Sequence, residues 1–214
     1  VHGPIRFGAV GIRELEAEEV RETERLLAEA TERLRPRRAA LGDALEALVV
    51  LDALHARARY ALANECARAS LAEAGAGSSI VNGRHPLLLA QHRAHVVPFD
   101  LAMEPSERTL LVSGPNTGGK TVLLKAVALV SMMVQAGIPA PVGTGTRVEV
   151  YDRFFADIGD EQSIEASLST FSAHVANLSD IVREATARSL VLVDELGSGT
   201  DPAEGAALGG AILE

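Results

Sequence analysis

Gly114, Gly119, Lys120 and Thr121 stand at the spacing G-x-x-x-x-G-K-[ST] within LLVSGPNTGGKTVLLKAVALV, residues 110–130. This is a residue set for holding a polyphosphate. Glycines at 114, 118 and 119 remove the Cβ atoms that would keep the backbone from such a ligand, and successive N–H groups can turn inward where a helix begins. The segment Gly114, Pro115, Asn116, Thr117, Gly118, Gly119, Lys120 and Thr121 is therefore the candidate nucleotide-binding loop. Lys120 would neutralise the β- and γ-phosphates of ATP, and Thr121 would offer a hydroxyl to Mg²⁺, a hard cation that takes oxygen ligands. Chance supplies the four fixed residues about once in 600 chains of this composition. Only two of the 20 basic residues are lysines, and one of them is where the loop requires it.

A second group of residues suits the same chemistry. SLVLVDE, Ser189 to Glu195, is a buried-strand pattern that ends in two carboxylates. Asp194 at the strand tip suits an acid that holds Mg²⁺ directly or through its water, and Glu195 suits a base that polarises the attacking water. The plainer reading is a strand that merely ends in solvated acids. The 74 residues from Lys120 to Asp194 exceed what one crossover needs, so further elements must lie between them.

DIGDEQSIEASLSTFSAHVANLSDIV, Asp157 to Val182, is the least generic of the intervening stretches. It runs from polar residues through Ser169, Thr170 and Phe171 into a helix with apolar positions at Phe171, Val175, Leu178 and Ile181 or Val182. Serine and threonine at that start could simply cap the helix. A hydroxyl beside exposed N–H groups also makes a second phosphate site. Two phosphate-facing helix starts in one chain suggest a head-to-tail pair that shares each nucleotide.

Other elements have to position these groups. Residues 12–73 are rich in Ala, Leu, Glu and Arg, with apolar positions Ile12, Leu15, Val20, Leu26, Leu27, Ala30 and Leu34 at spacings that suit a helix. Pro36 breaks the series, which resumes through Leu41, Leu45, Leu48, Leu51, Leu54, Ala58 and Leu62. Two long amphipathic helices follow, packed together or against a neighbour. GAGSS, Gly75 to Ser79, marks a boundary between a helical segment, 1–76, and an α/β domain, 77–214. In that domain the leucine-rich run before Gly114 should be the strand that feeds the loop.

Composition narrows the functional class. The chain has 214 residues, 47% of them hydrophobic, and a net charge of −9 that lies mainly in residues 76–214. An acidic chain with no Trp, two Tyr and five Phe is poorly suited to grip nucleic acid by itself. The one cysteine, Cys66, leaves no internal disulfide, suits a reducing cytoplasm and reads as a small buried apolar residue. No signal peptide or membrane-length apolar run is present.

Four stretches in this order carry a family resemblance: GRHP (Gly83 to Pro86), GPNTGGKT (Gly114 to Thr121), DIGDEQSIEASLSTFSAH (Asp157 to His174) and LVDELGSGTDPAEGAAL (Leu192 to Leu208). The chain resembles the MutS ATPases over essentially all of residues 12–214. NTGGKT, DIGDEQS and GTDPAEGAAL are similar to the second bacterial type, MutS-II, rather than to the mismatch-repair type.

The resemblance implies an α/β fold, an ABC-class P-loop ATPase with an amino-terminal α-helical lever segment. It implies Gly114 to Thr121 as the ATP loop, with Asn116 on the γ-phosphate side, Thr121 and Asp194 as Mg²⁺ ligands, and Glu195 as the Walker B base. It implies Ser169 as the signature serine that reaches a partner subunit's γ-phosphate, and Gly197 to Thr200 as a loop across the interface of a homodimer joined through its ATPase domains. Lys120, Ser169 and Glu195 are then the catalytic set. Arg84 and His85 fall in a family motif whose role the residues do not reveal, and structural support is an adequate reading. The adenine-stacking aromatic of the mismatch-repair type has no counterpart in AHVVPFDLAMEP, residues 94–105, so Phe99 or an apolar surface at Val96 and Val97 must serve. The ATPase domain is expected to be carboxy-terminally truncated, since the chain stops inside an apolar helix begun by Pro202, before the family's switch histidine. Clamp and nuclease modules are expected to lie outside it.

By the same resemblance the parent protein is cytoplasmic, acts on branched or recombination-intermediate DNA, suppresses homologous recombination and carries an endonuclease activity. A rival within the family is an ATPase clamp of ribosome-associated quality control, binding rRNA on stalled or collided ribosomes. An ATPase head of the chromosome-structural type is a further rival. It would need coiled-coil heptads on both sides of the head, whereas the helical part here is short and interrupted at Pro36.

Overall fold

A computed structural model of the chain describes residues 4–92, 95–115, 118–158, 167–196 and 202–213. The chain divides into two units, Val1–His55 and Ala56–Glu214. The compositional boundary near residue 76 falls inside the second unit.

The first unit is helical. Helix α1 spans Pro4–Leu34, a single 3₁₀ turn spans Arg35–Arg37, and α2 starts at Arg38 and runs to Ala63 in the second unit. The interruption expected at Pro36 is present as this short 3₁₀ turn. Pro36 sits in the first turn of the 3₁₀ segment, and the flanking Leu34 and Arg38 both keep right-handed helical dihedrals. Proline's missing N–H costs little there, because first-turn donors have no partner within the helix anyway. Of the two expected arrangements, packed together or against a neighbour, the first is not seen among the described residues. Every residue from Ile12 to Arg59 is exposed, including Leu15, Leu26, Leu45 and Leu54. Arg25 binds Glu22 and Glu29 along α1, surface pairs that support the helix weakly.

The second unit is α/β, with two sheets. Strands β1 (Ser70–Ala72), β2 (Ser78–Gly83), β3 (Phe99–Met103) and β4 (Arg147–Glu149) form a mixed sheet in the order β1-β4-β2-β3. β1 and β4 are parallel, and β2 runs antiparallel to β3 and β4. Strands β5 (Arg153–Asp157) and β6 (Ser189–Val193) form a parallel pair in which Asp157 faces Val193. Helix α5 (Ser167–Glu184) links them, burying Leu178 and Ile181 on one face as a βαβ crossover requires. Of the two alternatives at the helix end, Ile181 is the buried one and Val182 is exposed.

Helix α4 (Lys120–Gln135) packs against both sheets. Its Val130 joins Ile80, Ala140, Val142 and Val148 in the core, flanked by Phe99, Val127, Met133 and Tyr151. Its last residue clamps the link between the sheets: Gln135 Nε2 donates to the Tyr151 carbonyl at 2.9 Å, and Tyr151 N–H donates to Gln135 Oε1 at 2.8 Å. Helices α3 (Pro86–His92) and α6 (Pro202–Leu213) complete the unit.

The run before Gly114 departs from expectation. Residues 110–113 have strand composition but form no strand, and Leu111 is 79% exposed. A strand needs a ladder partner, and among the described residues β6 pairs only with β5.

Candidate functional site

The site is built where α4 begins. Gly119 precedes it with φ 77° and ψ 20°, a left-handed conformation that glycine adopts without steric cost. As the N-cap residue, Gly119 has no side chain with which to cap the helix. Lys120, the first helical residue, folds its ammonium back onto the loop, donating to the carbonyls of Gly114 at 2.8 Å and Pro115 at 3.1 Å. Gly118 N–H donates to the Pro115 carbonyl at 2.9 Å and tightens the turn. Asn116 and Thr117 lie outside the described residues.

One residue on, the Thr121 hydroxyl donates to Asp194 Oδ2. This contact joins two residues 73 positions apart and brings the start of α4 to the tip of β6. Asp194 is 8% exposed, and its N–H donates to the Asp157 carbonyl at 2.9 Å, so the tips of β5 and β6 are tied together. Glu195 follows with φ 52°, a conformation uncommon for a residue with a side chain, at the turn where the chain leaves the strand. Thus Lys120, Thr121 and Asp194 are brought together, with Glu195 next in sequence to Asp194. Ser169 stands in the first turn of α5. Gly197 to Thr200 lie outside the described residues.

Three residues with clear contacts were not singled out from sequence. The Asp157 carboxylate meets His174 Nδ1 at 2.5 Å and accepts from Asn177 Nδ2 at 2.8 Å. The signal was available: His174 and Asn177 are three apart, on one face of a helix that follows an acid at a strand end.

GRHP takes a supporting role. Arg84 N–H donates to the Pro141 carbonyl at 3.0 Å and its guanidinium binds Glu65 at 3.1 Å. His85 is buried before α3, and its Nδ1 accepts from Leu88 N–H at 3.3 Å, the bond of a helix cap. Burial, and to a smaller extent the charge of Lys125, hold the His85 imidazole below its usual pKa. Burial likewise pushes the Cys66 thiol up, against the thiolate. Of the two candidates for a base-stacking surface, Phe99 is committed to the core in β3, while Val97 is 81% exposed.

No described helix is long and apolar enough to cross a membrane. Among the described residues no group of three or more His, Cys, Asp or Glu could hold a metal by itself, so an ion beside the Thr121 hydroxyl and the Asp194 carboxylate would need further ligands from outside the protein.

Residues 110–214 match the family described as MutS domain V. Over 95% of its length the chain is 64% identical to a protein from Gemmatimonas aurantiaca and 50% identical to one from Pelotomaculum thermopropionicum, both named endonuclease MutS2. A third of that name, from Geobacillus thermodenitrificans, is 46% identical over the same share. The chain spans about a quarter of the length of these curated relatives. With this likeness along nearly all of its residues, the chain belongs to the MutS family and is similar to its second bacterial type, MutS-II.

Proposed function

We propose that the chain is the Mg²⁺-dependent ATP-binding and hydrolysing part of a MutS-II protein, in which a P-loop at Gly114 to Thr121 works with a Walker B pair at Asp194 and Glu195. The observation that carries this reading is the contact between the Thr121 hydroxyl and the Asp194 carboxylate, one residue from the Lys120 ammonium. Two hard oxygens beside a lysine ammonium at a helix start fit a magnesium-bound triphosphate. Thr121 and Asp194 would hold Mg²⁺, which would supply positive charge against the developing charge of the phosphates.

Each residue then has a task. Lys120 exchanges its two loop carbonyls for phosphate oxygens, so the loop is held in shape before ligand arrives. Thr121 and Asp194 hold the metal's side of the site, and the bond from Asp194 N–H to Asp157 fixes the acid's backbone. Glu195 orients and deprotonates the attacking water. Ser169 serves the nucleotide of a second copy, making the ATP state a switch for dimerisation and for the helical segment.

In the whole protein this switch acts on branched or recombination-intermediate DNA and restrains homologous recombination, with strand cleavage supplied from outside the chain. The name endonuclease MutS2 borne by the relatives favours DNA over ribosomes as the substrate. Glu195→Gln tests the assignment: ATP affinity should stay within about threefold while turnover falls about 10²-fold, as for loss of a general base. Equal turnover in both proteins removes Glu195 from the mechanism.

A further inference from the structure

We infer that His174 is a positioning residue for ATP hydrolysis, acting through Asp157 to tie α5 to the strand tips that carry Asp194; this rests on the ATP reading above. Asp157 ends β5 and is 8% exposed. Helix α5 brings two side chains to its carboxylate, His174 Nδ1 at 2.5 Å from Oδ2 and Asn177 Nδ2 at 2.8 Å from Oδ1. The imidazole and the Asn177 amide thus meet the two oxygens of one carboxylate from a single helix face.

The arrangement is not an economical way to secure a helix. The approach of Nδ1 lies off the hydrogen-bond direction, and both Asp157 Oδ2 and His174 Nε2 are buried without a well-formed hydrogen bond. Burying polar atoms in that state opposes folding, and apolar residues at these positions would avoid it. Such a cost is retained where geometry serves something besides stability.

What it serves follows from the contacts beyond Asp157. The Asp157 carbonyl accepts from Asp194 N–H at 2.9 Å, and the Asp194 carboxylate accepts from Thr121 at the start of α4. A continuous polar chain thus runs from α5 through the tips of β5 and β6 to α4. Ser169 precedes His174 by five residues on the same helix, about 7 Å along its axis. A displacement of the helix start therefore reaches Asp157 through His174 and Asn177, and reaches the metal-side acid through one more main-chain bond.

The test uses the full-length protein, with steady-state ATP hydrolysis and thermal unfolding measured for wild type, His174→Ala and His174→Asn. Asparagine places an amide donor close to where Nδ1 stands, whereas glutamine, the alternative should alanine not fold, moves it away. Alanine or glutamine is expected to lower kcat about tenfold or more with KM for ATP within about threefold, and asparagine to restore kcat to within about threefold of wild type. A kcat within about twofold of wild type in His174→Ala overturns the inference, as does a fall that asparagine leaves unrescued in folded protein. Absence of hydrolysis in wild type would overturn the ATP reading itself, and with it this inference. The wild-type control therefore separates the two failures.

Discussion

At the scale of single residues, the motif positions and the supporting ones behave differently in sequence. Lys120, Thr121, Asp194 and Glu195 each belong to a short sequence pattern, and the structure joins the two patterns through the contact of Thr121 with Asp194. Asp157 and His174 were not legible as a pair, because their contact spans 17 positions and depends on where α5 lies on β5. His85 shows a third case, a family residue whose task becomes plain only once the cap to Leu88 is seen. That cap has a pH signature. Above its ordinary pKa of 6.5 the imidazole is neutral folded or unfolded. As pH falls, the unfolded chain takes up the proton first, since the folded value is lowered, and stability is lost until pH drops below that folded value. Protonated Nδ1 also has no lone pair for Leu88. His85→Asn keeps a capping acceptor that does not titrate, so chemical denaturation at about pH 7.5 and about pH 5.5 should show a smaller loss in the variant than in wild type. Equal losses would place the pH dependence elsewhere.

At the scale of elements, periodicity identified the helices but not what they pack on. The spacing of Ile12 to Leu34 and of Leu41 to Leu62 gives two amphipathic stretches, and both are helical. Their apolar faces are exposed in this chain, which no pattern in the stretch itself could reveal. Pro36 marked the interruption between the two helices, and the 3₁₀ segment puts it where its missing N–H is tolerated. The run before Gly114 misled because leucines and valines describe a strand only where a neighbouring ladder accepts them. The Gln135 clamp is an element-scale feature with a direct check. Removing its side chain in Gln135→Ala deletes both bonds to the Tyr151 main chain and should cost about 2 kcal/mol by chemical denaturation. Gln135→Glu keeps only the acceptor and should still lose part of that stability. An unchanged midpoint in the alanine variant would show that the two sheets are held by apolar packing alone.

At the scale of the whole molecule, the proposed use of Ser169 requires a second copy. Two chains arranged head to tail would each complete the other's site, so damage at different residues should be complemented on mixing. Ser169→Arg combined with Lys120→Ala should recover about a quarter of wild-type activity in a statistical mixture, where half the dimers carry one intact composite site. No recovery, with heterodimers demonstrated by cross-linking, would place the whole site within one chain. Apolar residues lie exposed along α1 and α2, and the curated relatives are about four times the length of this chain.

The most direct check of nucleotide binding is calorimetric titration of the 214-residue chain with ATP and Mg²⁺, for wild type and for Lys120→Ala. The wild-type chain should bind at one site per chain, and binding should weaken when Mg²⁺ is chelated, because Thr121 and Asp194 act through the metal. Lys120→Ala should retain the far-UV circular dichroism of the wild type and lose about tenfold or more in affinity, since it removes the side-chain cation at the loop. Equal ATP affinity in wild type and a folded Lys120→Ala variant would contradict the assignment of Gly114 to Thr121 as the nucleotide loop.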